Sequence, residues 1–265
     1  MSNSSSFPII SNNPVVDIIF LTFNRLYYTK ITLPALLNSV CKNPFNIHIV
    51  DNGSTDGSVE YLQKLSHAKI ASIIFNKKNR GLVKPTKKFW QQSNADLVGK
   101  IDNDILVPPD WIDRLTNAHK KIPHLGVLGY CHFRKEDFDS KVVQNTIQFE
   151  NGTYFRPQPW IGGNYLMKRD TTIQHNYYRQ SRKNLKKRIL YGFNKYQERL
   201  SEKGYTHGYL ADSNKELLLW EHLDDPRHSH FHKDENYFNI RNMNEIDIIK
   251  WYQNDAKMLL ENYRN

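Results

Sequence analysis

Apolar residues dominate Val15-Val16-Asp17-Ile18-Ile19-Phe20-Leu21. A nearly continuous run of that length predicts a strand buried on both faces, as in a parallel sheet. A helical pattern follows over residues 27–40, with Pro34 expected to start or kink its second half. Residues 46–50 predict a second strand, 58–65 a short helix, 70–75 a third strand, 86–93 a third helix and 97–101 a fourth strand. Strands and helices in strict alternation imply βαβ units. The expected fold class is therefore α/β, with a Rossmann-like, mostly parallel central sheet flanked by helices. In such sheets ligands bind at the carboxyl ends of the strands.

Pro108-Pro109 punctuates the chain before a helical stretch at 110–121. The later half mixes expected strands (126–133, 146–149, 163–168) with a basic helical region. Ile246, Ile249, Tyr252, Ala256, Leu259 and Tyr263 then recur at helical spacing, which predicts a C-terminal helix packed on the core. No internal repeat or long low-complexity tract is present.

Composition narrows the class. A chain of 265 residues with 39% hydrophobic and 24% charged residues can bury a sizeable core. Its net charge of +10 points to an acidic partner: a nucleotide, an anionic lipid surface, an acidic glycan or nucleic acid. The two cysteines, Cys41 and Cys131, lie far apart without metal-ligand spacing, so a reducing cytoplasm is the simpler home. Residues 1–13 do not read as a signal peptide. No run approaches the ~18 apolar residues of a spanning helix, so contact with membrane would be peripheral, at its inner face.

The polar signatures gather at the expected strand ends. Thr22-Phe23-Asn24-Arg25 follows the first strand, Asp51-Asn52-Gly53-Ser54-Thr55-Asp56-Gly57-Ser58 the second, Asn79-Arg80-Gly81 the third and Asp102-Asn103-Asp104 the fourth. Each alone reads as a turn or a helix cap. Independent turns need not collect on one edge of one sheet. Two carboxylates at i and i+2 of a strand also share a face, where a divalent cation could bridge them to a diphosphate.

These motifs resemble those of the inverting glycosyltransferases of family 2, with the fold called GT-A. Thr22, Asn24 and Arg25 match its first strand end, Val50 through Gly57 its second, Asn79-Arg80-Gly81 its Asn-X-Gly loop, and Asp102-Asn103-Asp104 its Asp-X-Asp motif. The resemblance implies a nucleotide-sugar site formed by Thr22, Asn24, Arg25, Asp51, Gly53, Ser54, Asn79, Arg80, Gly81, Asp102 and Asn103. Asp51 would accept the N3–H of uracil or thymine, and Asp102 would approach the ribose or sugar. Asp104, joined by His222, would bind Mn²⁺ or Mg²⁺. The implied donor is a UDP- or dTDP-sugar and the acceptor a glycan or a lipid-linked glycan. One continuous GT-A domain is expected: a flexible N-terminus at 1–14, a nucleotide-sugar-binding half at 15–107, an acceptor-binding half at 108–235 and a C-terminal helical segment at 236–265.

The resemblance places Trp160-Ile161-Gly162-Gly163-Asn164 at the boundary between donor sugar and acceptor, and the stretch offers an indole on which a sugar could stack and two glycines that permit close backbone approach. The same residues also suit a bulged strand with a core Trp. Inverting displacement needs a carboxylate base. The family's acidic positions read Gly192-Phe193-Asn194 here, which leaves Glu198 as first candidate and Asp224 and Asp225 behind it. Glu198 could equally form an ion pair on a helix surface. The basic segment 179–188 reads as a solvated face or as a contact with anionic lipid. His228, His230 and His232 read as a polar loop edge.

Other readings are a sugar-phosphate nucleotidyltransferase, a basic nucleic-acid-binding protein and a catalytically degenerate sugar-nucleotide-binding protein. The first lacks its Gly-rich basic loop after strand one. The second gives no reason for Asp51, Asp102 and Asp104 to gather at a polyanion site.

Overall fold

All seven residues of β1 (Val16–Thr22) are buried. Burial of its aliphatic and aromatic side chains contributes about 1.5–3 kcal/mol each, which fixes this strand at the centre of the molecule. The computed structural model describes residues 7–131, 146–149, 151–175 and 192–222. Among these residues nine strands form one sheet in the order β3-β2-β1-β4-β9-β6-β10-β8-β7. β2 (Phe45–Asp51), β3 (Ile70–Phe75) and β4 (Leu97–Asp102) join β1 in parallel. β1 is thus flanked by β2 on one side and β4 on the other. The chain reverses its winding there, which opens a crevice at the strand ends.

Helices α1 (Leu26–Leu37), α2 (Ser58–Gln63) and α3 (Val83–Gln92) make the crossovers. Pro34 lies inside α1 without ending it. α3 begins three residues earlier than the pattern implied. Beyond β5 (Ile105–Leu106), α4 (Trp111–Lys121) buries Trp111, Ile112 and Leu115 against the sheet's main apolar cluster. β6 (Leu125–Gly129), β7 (Ile147–Gln148), β8 (Tyr154–Pro157), β9 (Tyr165–Lys168) and β10 (Thr206–Ala211) complete the sheet. β9 runs antiparallel to both β4 and β6 and sits between them, so the second half of the chain enters the middle of the sheet. α5 (Arg169–Gln174) and α6 (Phe193–Ser201) follow in the chain, and β11 (Glu221–His222) pairs with β5 in a separate two-stranded sheet.

Phe7 and Pro8, within the segment expected to be flexible, make contacts with the body of the fold. Phe7 packs edge-on against Tyr205, with ring centroids 5.0 Å apart. Lys168, buried on β9, donates to the carbonyls of Pro8 at 2.8 Å and Pro123 at 2.7 Å. A buried ammonium needs such acceptors, and they tie the N-terminal residues to the sheet. Burial also lowers the Lys168 pKa to about 8. The expected C-terminal helix and the basic segment at 179–188 lie outside the described residues.

Candidate functional site

The strand register aligns the predicted signatures. Thr22 is paired with Asp51, and Leu21 with Asp102, so the ends of β2, β1 and β4 finish level. Asn52 N–H donates to the Thr22 carbonyl at 2.8 Å, and Asn76 N–H to the Asp51 carbonyl at 2.9 Å, extending the ladder just past the strands.

Within Asp102-Asn103-Asp104 the three side chains divide. Asn103 turns inward: its Nδ2 lies 3.1 Å from the hydroxyls of both Thr22 and Thr29 and 3.3 Å from the Asn24 carbonyl. Thr32 Oγ1 donates to the Asn103 carbonyl at 2.8 Å. Thr22 and Asn103, expected at the nucleotide, are thus buried and serve to lock β4 to α1. The carboxylates take the other directions. Asp104 is ion-paired with Arg25, and Asp102, a quarter exposed, with Lys100.

Arg25 reaches Asp104 because the backbone at Asn24 and Arg25 is left-handed, with φ of 54° and 64°. Neither residue is glycine, and such conformations are uncommon outside it. Side chains from the next strand end hold them. Asn24 N–H donates to Ser54 Oγ at 2.7 Å, and Asn24 Oδ1 accepts from Thr55 N–H at 2.9 Å. Asp56 then accepts from Leu26 N–H, opening α1, and from Ser58 N–H, opening α2. One carboxylate thus serves the first N–H of both helices.

Asp51 is fully buried and shapes its own turn. Its Oδ1 accepts from the N–H groups of Gly53 and Ser54, each at 3.0 Å, and its Oδ2 from the Ser54 hydroxyl. Gly53 has φ 89°, and a Cβ there would stand 2.8 Å from the Lys78 backbone. The loop after β3 therefore crosses directly over it. Asn52 fixes that crossing: its Nδ2 donates to Asn79 Oδ1 and to the Gly81 carbonyl, and its Oδ1 accepts from Asn76 Nδ2 and Arg80 N–H. Asn79, Arg80 and Gly81 are exposed at this rim.

The loop at 160–164 is joined to β4 by a clasp. Asp102 N–H donates to Asn164 Oδ1 at 2.7 Å, and Lys100 Nζ donates to the Gly163 carbonyl at 3.0 Å as well as to Asp102. A Cβ at Gly163 would lie 2.7 Å from Asp102 Oδ2 and 3.0 Å from Lys100 Nζ. Trp160 is 48% exposed, which answers the core-Trp alternative against it, while Ile161 beside it is buried. Gln197, on α6, grips the Ile161 backbone through both ends of its amide, at 2.7 and 2.9 Å. Behind it, His207 lies 3.0 Å from the Gln197 carbonyl through Nε2 and accepts from Val127 N–H through Nδ1. Burial lowers the His207 pKa to about 4, so the ring is neutral.

Glu198 is not brought to this cluster. It is exposed on α6 and paired with Lys195. Neighbouring helical positions diverge by about 100°, and it is Gln197 that meets the loop. His222 has its backbone paired opposite Ile105, next to Asp104. Asp224 and Asp225 lie outside the described residues, as do His228, His230 and His232. Sequence reasoning missed Lys100, Asn52 and Gln197. The period-2 spacing of Lys100 and Asp102 was a usable signal for the first; nothing local marked the other two.

Residues 17–189 match the family model described as glycosyl transferase family 2. Among curated proteins, the undecaprenyl-phosphate 4-deoxy-4-formamido-L-arabinose transferase of Aeromonas hydrophila is 25% identical over 143 residues, covering 49% of this chain and 43% of that protein. Its namesake from Pseudomonas savastanoi is 28% identical over 141 residues, covering 48% and 41%. The chain thus spans less than half the length of these relatives. Among solved structures, the mannosyltransferase PcManGT from Pyrobaculum calidifontis, in complex with GDP-Man and Mn²⁺, superposes with a TM-score of 0.59 at 17% identity, over 90% of this chain and 63% of that one. TarS 1–349 of S. aureus in complex with UDP gives 0.52 at 16% identity, over 78% and 59%. Both likenesses bear on the fold, which is GT-A.

Proposed function

Because the chain belongs to glycosyl transferase family 2, we propose that it moves a sugar from a UDP- or dTDP-sugar to a lipid-linked or glycan acceptor, by inverting displacement aided by Mn²⁺ or Mg²⁺. The observation that carries this reading is the level ending of β1, β2 and β4, which sets Asp102 and Asp104 at the winding switch with Arg25 and Lys100 beside them. The relatives' names support a lipid-phosphate acceptor.

The donor set fits a hard divalent cation. Among the described residues no three His, Cys, Asp or Glu side chains form a group able to hold a metal. Mg²⁺ and Mn²⁺ suit one or two carboxylates completed by phosphate oxygens, and Asp104, Asp102 and His222 are the candidates to hold one. Bound there, the ion would neutralise charge gathering on the departing diphosphate. Arg25 would then leave Asp104 for a phosphate oxygen, since a guanidinium suits either anion. Lys100 holds the Asp102 carboxylate against the Gly163 backbone, so the donor-sugar side and the acceptor loop move together. Asp51 retains acceptor capacity beyond its turn bonds for the N3–H of uracil or thymine, since a carboxylate offers about four lone-pair positions. Trp160 would stack on the acceptor sugar. The base is proposed from Asp224 or Asp225, two and three residues beyond His222, with Glu198 held off by Lys195.

A sugar-nucleotide-binding protein without turnover is the second reading, favoured by the pairing of Glu198 with Lys195. Calorimetry with UDP, dTDP, GDP and CMP, with and without Mn²⁺, on wild type and Asp104→Ala tests the site. Manganese-dependent uridine or thymidine diphosphate binding that the variant loses supports it; no nucleotide binding at all overturns it. Transfer from the bound donor to a polyprenyl-phosphate acceptor separates the enzyme from the silent binder.

A further inference from the structure

Charge is unevenly spread along the chain. Residues 61–95 contain no Asp or Glu but eight Lys or Arg, against a net charge of +10 for the whole protein. This stretch folds as the β3 edge, the 76–82 loop and α3. Among the described residues β3 is the last strand of the sheet, with no strand on its outer side. Ile74, Arg80, Lys84, Lys87 and Lys88 surround one cavity of about 910 Å³ between the sheet face and α3. Lys77, Lys78, Lys84 and Lys88 are exposed. In their midst Leu82 is 58% exposed and Ile74 40%.

We propose that this corner docks on an anionic lipid bilayer. The proposal rests on the lipid-linked acceptor of the preceding reading and names the surface that would bring the site to it. Lysines alone would suit any polyanion. Exposed aliphatic side chains among them gain nothing against a nucleic acid in water, whereas at a bilayer they enter the headgroup boundary while the ammonium groups stay with lipid phosphates. The corner also borders the donor edge. Asn52 pins the 76–82 loop to the end of β2, so a membrane beneath Leu82 lies beside the crevice rather than behind the sheet. Each lysine near an anionic surface adds about fivefold to partitioning, and four add a few hundredfold.

Co-sedimentation with vesicles tests this on the full chain. The probes are phosphatidylcholine alone and roughly 3:1 phosphatidylcholine to phosphatidylglycerol. Wild type is expected to sediment with the second only, and less so as salt rises. The combined change of Lys77, Lys78, Lys84 and Lys88 to Gln is expected to reduce binding a few hundredfold. Leu82→Ser is expected to reduce it severalfold with the salt dependence unchanged. A control changing the exposed Lys42, Lys120, Lys121 and Lys203 to Gln removes the same charge elsewhere. Equal losses in the two four-lysine variants overturn the proposal. So do unchanged binding in the corner variant and a preference for a single-stranded oligonucleotide over anionic vesicles. Nucleotide binding measured without vesicles reads the donor site separately, so a failure at the membrane with donor binding intact sinks the docking surface alone.

Discussion

Arg25 and Asp104, 79 positions apart in sequence, form an ion pair across the crevice at the ends of β1 and β4. The pair couples a residue held in a left-handed backbone to the last carboxylate of Asp102-Asn103-Asp104. It gives that carboxylate a cation before any ligand arrives.

Removing the guanidinium should therefore have opposite effects on two ligands. In Arg25→Ala, Mn²⁺ alone is expected to bind more tightly, because Asp104 no longer shares its charge. Nucleoside diphosphate is expected to bind about tenfold more weakly, since a hydrogen bond to a charged group contributes about 1.5–3 kcal/mol. Manganese paramagnetic resonance and calorimetry with UDP measure the two effects.

Gly163→Ala tests the clasp. The new methyl would stand 2.7 Å from Asp102 Oδ2 and 3.0 Å from Lys100 Nζ, so the carboxylate or the loop must shift. Overpacking of this kind costs about 1–3 kcal/mol of stability. Transfer should fall further than stability does, about a hundredfold in kcat, because an error near 1 Å at a reacting centre is that severe. Thermal melts beside steady-state kinetics separate the two.

Asn52→Ala removes the amide that joins Asn76, Asn79, Arg80 and Gly81 to β2. The expected result is a rise of about tenfold in the donor KM with kcat nearly kept, as the loop bearing Arg80 loses its fixed position. Equal loss in both parameters would place the loop in the chemical step instead.

His119 and His207 set the acid side of the stability profile. Burial lowers His119 to about 3, with Lys168 adding to the effect, and burial lowers His207 to about 4. Both folded values lie below the unfolded one near 6.5, so the unfolded chain takes up protons first. Their contribution is complete above about pH 6.5 and is lost as the pH falls from there, toward 4 for His207 and toward 3 for His119. His207 alone accounts for about 3 kcal/mol over that interval. Chemical denaturation at stepped pH should show the slope, and His207→Asn should flatten it.

Much of this could be read from the chain itself. β1 announces itself as a long apolar run and the next three strands as shorter apolar-rich stretches, and the pairing of Thr22 with Asp51 and of Leu21 with Asp102 follows from where they stop. The placement of β9 between β4 and β6 could not be read, because four residues carry too little pattern to choose between two neighbours in the sheet. Asn52 and Gln197 were hidden for a different reason. Their partners come from separate elements, and nothing in either local sequence differs from an ordinary turn or helix. Glu198 shows the reverse fault: its acidity is visible in the sequence, but a one-position difference in helical phase gives the loop to Gln197.

The left-handed backbone at Asn24 and Arg25 has a consequence for laboratory evolution. Glycine would relieve Arg25 by roughly 1–2 kcal/mol and Asn24, whose side chain tolerates this region, by less, so a screen for heat resistance would tend to enrich it there. At Asn24 glycine would free Thr55 N–H from its acceptor, and at Arg25 it would take away the partner of Asp104. Libraries aimed at a hardier catalyst should hold these two codons fixed, because their unfavourable geometry is what brings the guanidinium after the first strand to the carboxylate after the fourth.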